Sequence, residues 1–139
     1  MEHVQKNEYD VSIIIVNWNA GKFLEETINS VEQFTSDISY ELIIIDNNSN
    51  KEEESFLYLN KLSNKQNYTI IKSEENLGFA KANNIGMKLA KGRNFLILNP
   101  DSLLSGVLTF KPITKSYSFV SNSKYNLLFS IDAYYCCVV

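Results

Sequence analysis

Four short apolar runs punctuate this chain, and none of them alternates apolar with polar residues. They are Val11–Val16, Glu41–Ile45, Thr69–Lys72 and Asn94–Leu98, starting about 25 to 30 residues apart. A β-branched run without alternation reads as a strand buried on both faces. Between the runs, apolar residues recur at helical spacing instead. Leu24, Ile28, Val31 and Phe34 mark a helix over 22–34, and Phe56, Leu59 and Leu62 mark a second behind three glutamates, which suit a helix N-terminus. A third helix is predicted over 79–91, with Ala82, Ile85, Leu89 and Ala90 inward and Gly92 as its C-terminal stop. Four strands alternating with three helices predict an α/β fold with a mostly parallel sheet flanked by helices. Right-handed crossovers put every strand's C-terminal end on one edge of such a sheet. Open α/β sheets bind ligands at that edge.

The totals remove several classes of partner. At 139 residues the chain is one domain with room for a core. A net charge of −3 gives nucleic acid or any other polyanion no handle. Cys136 and Cys137 are adjacent, which is poor geometry for a mutual disulfide and lacks metal-type spacing. The N-terminal ten residues are too polar for a secretory signal, and no apolar run reaches the roughly 18 residues of a membrane span. The expected setting is cytoplasmic, or peripheral at the inner membrane surface.

The chemistry-bearing residues gather at the predicted strand ends. Asn17, Trp18 and Asn19 follow the first strand, and Asp46, Asn47, Asn48 and Ser49 the second. Glu74, Glu75, Asn76 and Gly78 follow the third, and Asn99, Pro100 and Asp101 the fourth. A ring and amides at one strand end suit a planar heterocycle, and a neighbouring carboxylate can accept from a base N–H. A carboxylate beside an amide at the fourth end can hold a hard cation between diphosphate oxygens. The ensemble predicts a nucleoside-diphosphate site. Taken singly, each element has another reading. Asp46 equally suits a helix cap, Trp18 a packed loop, Asn76–Gly78 a turn whose glycine supplies positive φ, and Asp101 a turn after Pro100. Asn83 and Asn84 are poor helix formers placed in a helix interior, a local misfit of the kind found at functional faces.

Four stretches together carry a resemblance. Val-Ser-Ile-Ile-Ile-Val-Asn-Trp-Asn, Ile-Ile-Ile-Asp-Asn-Asn-Ser, Asn-Leu-Gly-Phe-Ala-Lys-Ala-Asn-Asn-Ile-Gly and Leu-Asn-Pro-Asp stand in this order across residues 11–101. The chain resembles a family 2 glycosyltransferase, closest to the rhamnosyltransferase-like branch with Asn-Pro-Asp in place of Asp-x-Asp. The resemblance implies a GT-A nucleotide-sugar fold, a divalent metal (Mg or Mn) and inverting transfer from a UDP- or dTDP-linked sugar to a saccharide or lipid-linked acceptor, as in surface polysaccharide synthesis. It implies that Val16, Asn17 and Asn19 line base and ribose, that Asp46 accepts from the base, and that Asn76, Gly78 and Asn83 border the donor. Asp101, with Asn99 beside it, is then the metal end. An unrelated doubly wound nucleotide binder is disfavoured, because no Gly-x-Gly-x-x-Gly or P-loop follows the first strand.

The character changes after Asp101. Residues 1–101 carry 10 basic and 15 acidic side chains, whereas 102–139 carry three lysines against Asp132 alone, with seven aromatics in 38 residues. Short β segments at 107–110, 116–120 and 127–131 are conceivable there. The family's general base lies downstream of the metal motif, and Asp132 does not sit in a similar motif. Residues 1–101 are therefore expected to be a donor-binding region, and 102–139 an atypical segment that truncation or frameshift would explain. The competing expectation is a nucleotide-binding fragment without turnover, lacking the acceptor half and the general base.

Overall fold

The computed structural model describes residues 8–104, 106 and 136–137. The elements run β1 (Tyr9–Asn17), α1 (Phe23–Phe34), β2 (Tyr40–Asp46), α2 (Glu54–Leu62), β3 (Tyr68–Lys72), α3 (Phe79–Leu89), β4 (Gly92–Leu98), β5 (Leu103–Leu104) and β6 (Cys136–Cys137). The first four strands form one parallel sheet in the order β3-β2-β1-β4. The two-residue strands β5 and β6 pair antiparallel. The expected parallel α/β architecture is present, with element ends shifted by one or two residues at most of the strands and helices. The β segments conceived at 107–110, 116–120 and 127–131, and Asp132, lie outside the described residues.

The two central strands, β1 and β2, are buried on both faces, as their composition demands, whereas the edge strands β3 and β4 are only partly buried. Val11, Ile13 and Ile15 of β1 join Leu42 and Ile44 of β2 against Leu24, Ile28 and Val31 of α1 and Leu59 of α2. The opposite face sets Ile14, Val16, Ile43 and Ile45 against Ala82 of α3. Twelve of these strand and helix side chains are among the largest fully buried ones, so each contributes on the order of 1.5–3 kcal/mol of transfer free energy.

Two expectations are corrected. The inward face of α3 is Ala82, Asn83 and Gly86, while Ile85 is half-buried and Leu89 exposed. Small residues let the helix come down onto the sheet: a Cβ at Gly86 would stand 2.6 Å from Ile14 Cγ2. Gly92 is not the stop of α3, which ends at Leu89 with Ala90 as its cap. Gly92 opens β4 where it crosses β1, and a Cβ there would stand 2.4 Å from Ser12 N. A buried cluster secures the same place. Glu41 accepts from the Ser12 hydroxyl (2.5 Å) and from Lys91 N (2.5 Å), and Ser12 Oγ accepts from Gly92 N (2.8 Å).

Candidate functional site

The order β3-β2-β1-β4 makes the chain reverse its direction of travel across the sheet between β1 and β4. Loops diverge at such a switch point and leave a crevice beyond the strands' C-terminal ends. An open hollow of about 520 Å³ occupies it. The end of β1 and its loop supply Val16, Trp18, Asn19, Ala20 and Gly21; α1 supplies Phe23 and α3 Phe79; the segment after β4 supplies Asn99, Pro100 and Asp101. Four of the expected site residues, Val16, Asn19, Asn99 and Asp101, are thus brought together in one wall. Trp18, Phe23 and Phe79 add apolar surface, each more than half exposed.

Asn17 and Asp46 are placed differently. Each is the last residue of its strand, and the β1–β2 register sets them side by side. Both are buried, at 0% and 1% exposure. Asn17 Nδ2 donates to Asp46 Oδ1 (2.8 Å), Ser55 Oγ (3.0 Å) and Ser49 Oγ (3.2 Å). The other Asp46 oxygen accepts from Ser49 N (3.2 Å). Ser49 Oγ in turn accepts from Asn19 N (2.9 Å), and Asn19 Oδ1 accepts from Asn50 N (2.8 Å). These bonds staple the loop after β1 to the loop after β2. Asn19 itself is held at φ 49° and Asn48 at φ 65°, left-handed values that asparagine tolerates better than most residues.

A second clasp holds the loop before α3. Asn47, 3% exposed, donates to Asn76 Oδ1 (2.9 Å) and accepts from Leu77 N (2.8 Å), while Asn76 Oδ1 also accepts from Gly78 N (2.9 Å). Gly78, at φ 76°, then turns the chain into α3 and delivers Phe79 to the hollow. Asn83, one turn on, is buried, and its Nδ2 donates to Phe79 O (3.0 Å). Its Oδ1, like that of Asn17, is buried without a partner among the described residues. Sequence reasoning missed the clasp by Asn47 and the place of Phe79. The available signal was a bulky apolar residue directly after a glycine at a helix start.

The segment after β4 forms a turn, Asn99–Ser102, closed by Ser102 N donating to Asn99 O (3.1 Å). Pro100 at its second position suits such a turn. The turn reading of Asp101 is compatible with the ligand reading, for the carboxylate at the third position is exposed in the hollow's wall. Among the described residues no group of three or more His, Cys, Asp or Glu side chains is gathered for a metal. One carboxylate with an amide nearby does not make a protein-built cage. It does fit a hard octahedral cation bound through one carboxylate, with waters and substrate phosphates completing the shell. No helix among the described residues is long and apolar enough to cross a membrane.

The family model for glycosyl transferase family 2 matches residues 12–107. An uncharacterized glycosyltransferase of Methanocaldococcus jannaschii, MJ1057, is 29% identical over 122 residues, covering 86% of this chain and 40% of that protein. The poly(ribitol-phosphate) beta-N-acetylglucosaminyltransferase TarP of Staphylococcus aureus is 35% identical over 96 residues, covering 68% of this chain and 29% of that protein. Among solved structures, S. aureus TarS 1-349 in complex with UDP-GlcNAc superposes with a TM-score of 0.59 at 26% identity, covering 68% of this chain and 27% of that one. The chain thus spans two fifths or less of the length of these relatives. The parallel sheet and its flanking helices are the GT-A arrangement.

Proposed function

Because the chain belongs to glycosyl transferase family 2, we propose that its hollow receives a UDP-linked sugar whose glycosyl group passes to an acceptor hydroxyl with inversion. The observation that carries this reading is the position of the hollow. It lies at the switch point between β1 and β4, with a ring and amides at one end and an exposed carboxylate at the other. Similarity to TarS, solved with UDP-GlcNAc, favours uridine over thymidine as the base. Similarity to TarP, a poly(ribitol-phosphate) beta-N-acetylglucosaminyltransferase, favours a polymer chain as the acceptor.

In this reading Val16, Trp18 and Asn19 take the base and ribose, the ring by stacking and the amide by edge hydrogen bonds. Asn17 and Asp46 act from beneath, fixing the backbone on which Trp18 and Asn19 stand. Asn76, Gly78 and Asn83 border the donor by setting where α3 begins. Asn99 and Asp101 meet the diphosphate. A divalent cation held there would neutralise the charge that develops on the leaving diphosphate. Among the described residues of the wall, Asp101 is the one carboxylate, and a group spent on a cation cannot also deprotonate the acceptor. The general base therefore comes from outside this wall. That same observation favours a second reading, a donor-binding unit without turnover.

Calorimetry with UDP, with dTDP and with Mn²⁺ tests the shared claim. UDP binding strengthened by Mn²⁺ is expected, and Asp101→Asn should weaken the metal-dependent part by about tenfold or more, the scale of one lost charge-assisted contact. Equal binding with Mn²⁺ and with EDTA would refute it. Release of sugar from UDP-GlcNAc by the purified chain separates the two readings, since binding without turnover leaves only the donor-binding unit.

A further inference from the structure

We propose that Thr27 and Ser30 of α1 are positioning residues that fix the backbone carrying Asp101. The inference rests on Asp101 being the cation end of the donor site. Helix α1 buries Leu24, Ile28 and Val31 in the core, and beside them it buries two hydroxyls, Thr27 at 0% and Ser30 at 8% exposure. A hydroxyl removed from water is costly unless it is bonded, so the partners tell what the pair does. Thr27 Oγ1 donates to Pro100 O (2.8 Å), the carbonyl immediately before Asp101. Ser30 Oγ accepts from Leu104 N (3.0 Å), three residues after Asp101, and donates to Thr27 O (2.7 Å).

The segment is therefore tied on both sides of Asp101 to a single helix. Between the ties, the turn is closed by its own bond from Ser102 N to Asn99 O (3.1 Å), and Ser102 is buried at 5% exposure. The Asp101 backbone is thereby fixed while its side chain stays exposed in the wall. Helix α1 also opens with Phe23, which stands in the same wall. One rigid element thus sets the distance between the aromatic side of the hollow and its carboxylate. A carboxylate that must meet both a cation and a diphosphate gains from such fixing, because the ordering cost is met on folding and not on binding.

Thr27→Val keeps the side-chain shape and deletes the donor, and Thr27→Ser keeps the hydroxyl. UDP affinity is measured by calorimetry with saturating Mn²⁺ and with EDTA, alongside the thermal midpoint. Thr27→Val should weaken Mn²⁺-dependent UDP binding by about fivefold or more, the weight of one hydrogen bond, and leave binding in EDTA unchanged. Thr27→Ser should bind as wild type. Ser30→Ala, which cuts the tie to Leu104 and the bond to Thr27 O but keeps the Thr27 hydroxyl on Pro100 O, gives the same readout should Thr27→Val fail to fold. A lowered thermal midpoint with an unchanged Mn²⁺ increment would mean a merely structural pair and overturn the inference. If the wild type loses its increment with Asp101→Asn but not with Thr27→Val or Ser30→Ala, the inference fails alone. A wild type without any increment takes the Asp101 reading down with it.

Discussion

Replacing Asn17 with alanine removes the side chain on which the loops after β1 and β2 both depend. Its Nδ2 lies 2.8 Å from Asp46 Oδ1, 3.0 Å from Ser55 Oγ and 3.2 Å from Ser49 Oγ. An amide has two N–H groups, so two full bonds and no more can be lost. The bond to the carboxylate dominates at about 1.5–3 kcal/mol, because Asp46 is buried and cannot recover its donor from water. The second, to a neutral hydroxyl, adds about 1 kcal/mol. One contribution runs the other way: Asn17 Oδ1 is buried without a partner among the described residues, and deleting it relieves about 1 kcal/mol of desolvation. The net expectation is a loss of about 1.5–3 kcal/mol. Urea denaturation followed by circular dichroism measures it, as a lowered midpoint at unchanged slope. Because Trp18 and Asn19 follow directly, UDP affinity should fall as well. A loss below about 1 kcal/mol would refute the staple, since it would mean that Asp46 finds equivalent donors by itself.

Two further outcomes follow from the far end and the flank of the sheet. Gly92→Ala places a methyl 2.4 Å from Ser12 N and 2.6 Å from the Val11 carbonyl carbon. Both are backbone and cannot give way as a side chain would, so about 3 kcal/mol should be lost. Gly106→Ala, with nothing within 4 Å among the described residues, should stay within about 0.5 kcal/mol; equal losses in the two variants would refute the close approach. At Glu32, burial pushes the carboxyl pKa up, but hydrogen bonds from Lys65 and Tyr68 outweigh it and hold the pKa below its ordinary value. The resulting stability is present above the unfolded pKa of about 4.3 and is lost as pH falls through the folded value. Glu32→Gln should thus be less stable than wild type at pH 7 by about 0.5 kcal/mol, a small figure because the pair is partly exposed, and should converge with it in acid. A gap that widens on acidification in paired denaturation curves would reverse the assignment.

The parts of the fold that show in the sequence are those where composition and environment agree. Ile13–Ile15 and Ile43–Ile45 are apolar on successive residues because both faces of the sheet are covered. Helix α3 misleads for the opposite reason. Its approach to the sheet is made by Ala82 and Gly86, and a periodicity read from the larger residues points towards Leu89, which is exposed. The strand order cannot be read from the runs, and the order alone decides that the loops of β1 and β4, not of β1 and β2, open the hollow. The same limit applies within the site. Asn99 and Asp101 flank Pro100 within the turn after β4 and face outward, as their types suggest. Asn17 and Asp46 look equally ligand-like in one dimension, yet the parallel register turns them towards each other. Asn47 is one of four consecutive asparagine and serine residues, and only its contact with Leu77 and Asn76, about thirty residues away, distinguishes it.

The Ser12, Glu41 and Gly92 cluster lies at one end of the sheet and the hollow at the other. Groups that far apart without shared partners affect stability nearly independently. A lineage built on this scaffold can therefore rewrite the loops that line the hollow while the opposite end keeps the strands in register. Change of substrate and retention of fold then answer to different residues, which is the condition for one architecture to serve many donors.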